Sequence, residues 1–397
     1  MNFEVYHQLG HNSVWNLESL QNEGCGDGVI LSPRNMERSK VEKLPLTIKN
    51  KAMFDPQFFN PHRINEQMTS YGFYPQSVTP GGYNTKQFPA FSSICAEKCI
   101  KFQEENAFKF LTIPTQYIKS STPIDTLIDH QNKYFINPFL EILKKANSNK
   151  ELIVQIILTR EMIKNPESSS QLLNWITGID GIKGVYLITE SKSDNKQIND
   201  PDYLYSLLNI VNALSENELI TILGYQNTEA MLLSLANPSI VTIGTYFNVR
   251  SFDYSRDYEN MGEEKDMKQP KPRVYIPSLL DWIDFVFIQA MNRKIPNFKK
   301  LLGENKYTDE MLSPSYKISS IKTPYKHFFV EGSKQLRNIG SLKIEDRYVE
   351  LNSIMESAVD RFTALEEIGF VLGGCGSHLP SWLTAANLFA ADQGWRK

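Results

Sequence analysis

The first residue in this chain with chemistry to offer is Asp55, a carboxylate among hydrophobic and aromatic side chains in the run AMFDPQFF at 52–59. Apolar surroundings disfavour the ionised form and raise a carboxyl pKa, which suits the group to proton transfer or to stabilising a developing cation. The Asp-Pro step also allows a plainer role, the capping of a turn. Cysteine and histidine add little. Cys25, Cys95, Cys99 and Cys375 are too few and too scattered for a disulfide scaffold, and Cys95 and Cys99 have no partners at metal-ligand spacing. His327 follows no cysteine cluster and reads as a packed or surface residue. No GxxxxGK[ST] loop occurs, and no GxGxxG follows an apolar run, which disfavours nucleotide-triphosphate and dinucleotide roles. The glycine-rich GGCGSH at 373–378 follows a helical pattern and reads as a helix terminus and turn.

Eight short apolar runs, rich in β-branched and aromatic residues, must position such a group. They lie at 2–8, 28–33, 52–59, 108–116, 152–158, 184–190, 219–225 and 239–246, and several are nearly continuous, as strands buried on both faces are. Helical patterns at 170–179, 203–215 and 227–236 separate later runs. Eight strands with helical spacers predict an α/β fold, a (β/α)8 barrel over residues 1–261. An open doubly wound sheet is the competing architecture. The spacer between the third and fourth strands, 60–107, is unusually long and holds YGFYPQSVTPGGYNTKQFPAF at 71–91, either a lid or binding loop or a self-packed surface loop. The stretch 255–273 is polar and reads as a loop or linker. Beyond it, 278–294, an amphipathic pattern over 351–365 and 381–395 read as helices, so residues 262–397 are expected to form a helical C-terminal extension.

In such barrels the chemistry lies at the C-terminal ends of the strands. Polar residues there are His7, Ser32, Arg34, Asp55, Gln57, Thr115, Gln116, Gln155, Glu190, Tyr225, Thr245, Tyr246 and Arg250. Composition bounds the partners. AVILMFWYC make up 41% of 397 residues and charged residues 22%, so the chain is neither disordered nor a coiled coil. A net charge of −3 excludes a polybasic nucleic-acid coat but leaves room for a local basic cleft. Basic clusters at 144–150, 268–273 and 291–300 read first as solvated surface, and the latter two could clamp a nucleic-acid backbone beside the barrel mouth. With no signal-peptide pattern at the N-terminus and no apolar stretch of membrane-spanning length, the chain is expected to be cytoplasmic and away from membranes.

The order of four motifs resembles the tRNA-guanine transglycosylase superfamily. KAMFDPQFF resembles its Asp-bearing third strand, ELIVQIIL its Ile-Val-Gln strand, GVYLITE the following strand ending in Glu, and GYQNTEAMLLSLANPSIVTIGTYFNVRSF (224–252) its last barrel unit. The resemblance covers about residues 1–250. It implies that Asp55 is the acid–base carboxylate, Gln155 the base-contacting amide, and Arg250 the basic residue after the last strand. The departures narrow the chemistry. The nucleophilic Asp of the family falls on Gly244, its guanine-reading Asp on Thr115 beside Gln116, and its zinc ligands are missing.

Exchange of one base for another needs a nucleophile to hold the sugar, whereas excision needs only a carboxylate and a water. The expected activity is therefore a DNA glycosylase without metal or other cofactor. Asp55 would be catalytic, Gln116 and Gln155 would read the base, Arg250 would hold phosphate or sugar, and Gln57, Thr115, Glu190 and Tyr246 would contact substrate. A cytosolic enzyme that removed ordinary bases would damage its own genome. The expected substrate is thus a modified base of phage DNA, glucosylated hydroxymethylcytosine above all, with an abasic site and antiviral defence as the outcome. Base exchange on tRNA or DNA with Asp253 as nucleophile, and a non-catalytic barrel that binds nucleic acid or protein, are the alternatives.

Overall fold

The computed structural model describes residues 3–60, 64–78, 88–146, 148–191, 197–256, 272–318 and 321–396. Each of the eight apolar runs coincides with a strand, the fifth beginning one residue before its run: β1 (Glu4–Gln8), β2 (Gly28–Leu31), β3 (Ala52–Phe54), β4 (Phe110–Ile113), β5 (Glu151–Leu158), β6 (Gly184–Thr189), β7 (Ile220–Gly224) and β8 (Ile240–Gly244). All the pairings are parallel, in the order β3-β2-β1-β8-β7-β6-β5-β4. Because β1 pairs with both β2 and β8, the sheet curls through its first and last strands into a nearly closed barrel. The strand order nowhere reverses as it does in a doubly wound sheet. One seam lacks a ladder: between β3 and β4 a single backbone bond runs from Lys109 N–H to Ala52 O, 2.9 Å long.

Burial on both faces explains the near-continuous apolar strands. Alternate residues point inward, and Tyr6, Ile30, Met53, Phe110, Ile153, Tyr186, Ile188, Ile222 and Ile240 fill the barrel as one cluster. Their neighbours, such as Val5, Val29, Val185, Leu187 and Val241, pack outward against the helices in a second cluster. Gly224 makes room within the barrel: a Cβ there would meet the Tyr186 ring at 2.4 Å. Helices return the chain between strands, for example Pro166–Thr177 and Pro201–Glu216, each with proline in its first turn and an Asn165 or Asp200 side chain capping its N-terminus.

The insertion between β3 and β4 is mostly ordinary core. Its main element is the helix Phe88–Glu105, and Tyr71, Phe73 and Tyr74 are buried. Tyr71 and Phe73 ring Phe54 at 5.4 and 6.1 Å, alongside Phe102 and Phe108 at 5.0 and 5.7 Å. These aromatic residues close the seam from outside, so none of the three is free to stack on a base; residues 79–87 lie outside the described residues.

After β8 the expected helix over 278–294 is only half present. Leu280 adopts a left-handed conformation (φ 52°), and Asp281–Asp284 form β10, antiparallel to β9 (Arg273–Ile276), before the helix Phe285–Lys294. The first three of its residues, Asp281, Trp282 and Ile283, are buried. Residues 257–271 of the expected linker, including most of the basic cluster 268–273, lie outside the described residues. Helices Lys322–Gly340, Ile344–Glu367 and Leu379–Asp392 complete the C-terminal region. They share the barrel's outer core: the Trp382 indole donates to Ile198 O at 2.8 Å, and Phe329 packs edge-on against His7 at 4.9 Å. No described helix is long and apolar enough to cross a membrane.

Candidate functional site

Asp55 follows directly on β3 and lies wholly inside the barrel, at the C-terminal ends of its strands. The Gln57 N–H donates to Oδ1 at 3.0 Å and Gln155 Nε2 to the same oxygen at 2.7 Å. The Tyr186 hydroxyl lies 3.4 Å from Oδ2 and 3.1 Å from Gln8 Oε1. Burial pushes the Asp55 carboxyl up to about 7, against the pull of these bonds and of one from Tyr225. At neutral pH both protonation states are therefore populated, as a general acid or base requires.

Further bonds fix the donors. Thr115 Oγ1 donates to the Gln155 carbonyl at 2.9 Å. Ser32 Oγ donates to Gln57 Oε1 at 2.9 Å, and Gln57 Nε2 donates to the Tyr225 hydroxyl at 2.9 Å. Gln57 and Tyr225 both adopt positive φ, 53° and 57°, which costs non-glycine residues of order 1–3 kcal/mol each and concentrates at functional sites. Two buried polar atoms of the same region have no partner: Gln8 Nε2, and Oγ1 of Thr112, which alternation with Phe110 turns inward. Groups left so are costly and mark where a ligand or water would bind.

An aromatic roof closes the mouth. Phe59, Tyr225 and Phe252 lie 5.2–6.3 Å apart, and Tyr117, 6.3 Å from Phe252, stacks flat on Tyr254 at 3.8 Å. Phe252 is tied to the end of β6 by a bridge to Glu190 and by Ser191 N–H to Phe252 O at 2.9 Å. Glu190 accepts from the Tyr117 hydroxyl at 3.3 Å and so supports this roof.

No family model, curated protein or solved structure matches this chain. The likeness to transglycosylases is one of short motifs.

The expected site residues divide. Asp55, Gln57, Thr115 and Gln155 form one network, with Glu190 above it. Gln116 is held elsewhere: its side-chain oxygen is 3.0 Å from His130 Nε2 and its backbone pairs with Gln131. His7 faces out of the barrel, with Nε2 donating to Cys25 O at 2.8 Å, and its neighbour Gln8 faces in. His327 is buried, with ring contacts to Tyr275 O, Asn305 and Thr308. Among the described residues no group of three or more His, Cys, Asp or Glu could hold a metal ion. Gly244 has no room for a nucleophile, since a Cβ would meet Val249 at 2.8 Å. Asp253 caps the turn after it, accepting from Arg256 N–H at 3.1 Å.

Tyr246 and Arg250 lie in a second polar region, between the ends of β7 and β8 and the hairpin. The Tyr246 hydroxyl accepts from Asn12 Nδ2 at 2.6 Å. Arg250 lies 4.1 Å above the Trp282 ring, donates to Asn227 Oδ1 at 3.0 Å and is 7% exposed. Glu229 Oε1 accepts from Asn227 N–H at 2.9 Å, and burial pushes its carboxyl up to about 7. Gln197 joins Asn227 and Thr228 to Asp281 of β10. Here four more buried atoms lack partners: Glu229 Oε2, Thr245 Oγ1, Arg250 Nε and Trp282 Nε1. Sequence reasoning missed Gln8, Tyr186 and Glu229. Only Tyr186 carried a signal, through its inward place in the strand GVYLITE.

Proposed function

We propose that the barrel hydrolyses an N-glycosidic bond in DNA, with Asp55 as its catalytic carboxylate. The observation that carries this reading is a carboxyl held near neutrality inside the mouth of a barrel, under aligned donors and beside unpartnered polar atoms. Ionised, Asp55 would offset the positive charge that grows on the sugar and take a proton from the attacking water. Oxygen bonds to the anomeric carbon as the carbon–nitrogen bond breaks. The bonding pair leaves with the base, which takes up a proton, and an abasic sugar remains. A glycine at the family's nucleophile position favours this direct route over base exchange, and Asp253, occupied as a cap, does not replace it.

The amides of Gln155 and Gln8 offer donors and acceptors to a cytosine-type edge. A base whose added substituent reached the unpaired groups would be distinguished from ordinary bases, because an analogue without it leaves them unsatisfied. Glucosylated hydroxymethylcytosine in phage DNA is the substrate we favour. Its entry requires the roof of Phe252 and Tyr254 to swing aside. The complete burial of Asp55 favours a second reading, a barrel that binds a partner without catalysis.

One experiment separates these. The protein is incubated with unmodified DNA, hydroxymethylated DNA, glucosylated DNA and tRNA, and released bases are identified by mass spectrometry, with Asp55→Asn as control. Release from glucosylated DNA alone, lost in the variant, supports the proposal. Equal release from all DNAs overturns the specificity, release from tRNA alone moves the substrate, and no release from any supports the non-catalytic barrel.

A further inference from the structure

Two cavities in the C-terminal region meet at shared residues, and neither belongs to the barrel mouth. The first, about 410 Å³, lies among the hairpin turn, the helix Phe298–Leu302 and the two long helices Lys322–Gly340 and Ile344–Glu367. Its polar lining includes Lys300, Lys334, Arg361, Ser278, Ser353 and Ser357. Ser353, Ser357 and Arg361 follow one another at four-residue intervals along one helix face. Glu304 and Glu331 also line it, so cations outnumber carboxylates by one. Glu331 is engaged by Asn305 Nδ2 at 2.8 Å. Lys299 next door pairs with Asp309, but among the described residues Lys300, Lys334 and Arg361 form no ion pair.

The second cavity, about 120 Å³, is walled almost wholly by apolar side chains, among them Met291, Ile295, Phe298 and Leu365. Leu301 and Arg361 line both cavities. One Arg361 guanidinium nitrogen donates to Ser278 O at 3.0 Å, which fixes the charged end at the polar side while its carbon stem borders the apolar one.

The geometry points to a binding site for a small amphipathic anion, a carboxylate or phosphate monoester on a short alkyl tail. The head would lie against Arg361, Lys334 and the hydroxyls of Ser353 and Ser357, and the tail would enter the apolar cavity. That cavity is slightly smaller than one of roughly 150 Å³ that accepts benzene, so the tail is about six carbons or fewer. Its small volume and cationic rim favour this occupant over a protein segment or a nucleobase. This site stands apart from the activity proposed for Asp55.

Titration calorimetry on the full chain tests it with hexanoate and hexyl phosphate, against acetate and inorganic phosphate as heads alone and 1-hexanol as tail alone. One or both amphiphiles bind at one site per chain, at least about tenfold more tightly than any fragment; the stronger identifies the head group. Arg361→Gln weakens binding by about tenfold or more. Ala364→Leu, at an exposed residue lining the apolar cavity, abolishes it without changing the melting temperature. Absence of amphiphile binding, equal binding of 1-hexanol, or unchanged binding by a folded Ala364→Leu protein overturns the proposal.

Discussion

Two carboxyls, Asp55 after β3 and Glu229 after β7, are both buried and both pushed up to about 7. Their surroundings differ. Around Asp55 the donors converge from β5, β6 and the β3 turn, and Thr115 and Ser32 hold two of them in turn. Around Glu229 one oxygen has a backbone donor and the other has none, and Arg250, bonded to Asn227 and lying over the Trp282 ring, acts on it by charge alone. A desolvated acid alone does not make a reactive site. Around Asp55 the converging donors favour the ionised form against burial, whereas the Glu229 region ties the hairpin to the barrel through Asn227 and Gln197.

The sharpest way to break this contrast is at Asp55. Asp55→Asn keeps the fold, because its oxygen still accepts from Gln57 and Gln155, and lowers base release by about 10²–10⁴-fold, read by mass spectrometry. The next effect is shared by both regions. Each acid has a folded pKa above its unfolded value, so its contribution to stability is full below about pH 4 and is lost as the pH rises through about 7. The urea midpoint is therefore lower at pH 8 than at pH 5, and Asp55→Asn with Glu229→Gln flattens that difference. Arg250→Met removes a charged hydrogen bond and the contact with Trp282, and urea titration should register a loss of about 2–3 kcal/mol with base release retained by the folded protein. The smallest change is Gln116→Ala, about 1 kcal/mol for its bond with His130 and none in base release. Gln155→Ala lowers release in the same assay.

Much of the barrel was legible because strands buried on both faces leave unbroken apolar runs. The ends were not, since apolar side chains continue past them: the run at 52–59 has three strand residues, and Phe58 and Phe59 are packing residues beyond the turn. The reading of His7 as a mouth residue failed by one position, which in a strand is the opposite face. The half-helix at 278–294 misled because β10 depends on β9, a pairing that no local pattern records. Asp55 stood out through its own neighbours. Tyr186 and Gln155 became its partners, and Gln8 a partner of Tyr186, only when the barrel curled and brought together residues up to 178 positions apart.

The seam between β3 and β4 carries one more implication, for the behaviour of the chain among its own copies. A strand without a neighbour offers bare N–H and C=O groups, a template on which another molecule's strand can add. At β4 that template is already occupied. Gln103, from the helix Phe88–Glu105, accepts from Thr112 N–H at 2.8 Å and donates to Thr112 O at 3.0 Å, so one side-chain amide imitates the missing backbone. The β4 side of the opening beside Asp55 is thereby withdrawn from such pairing by a single side chain of an outer helix.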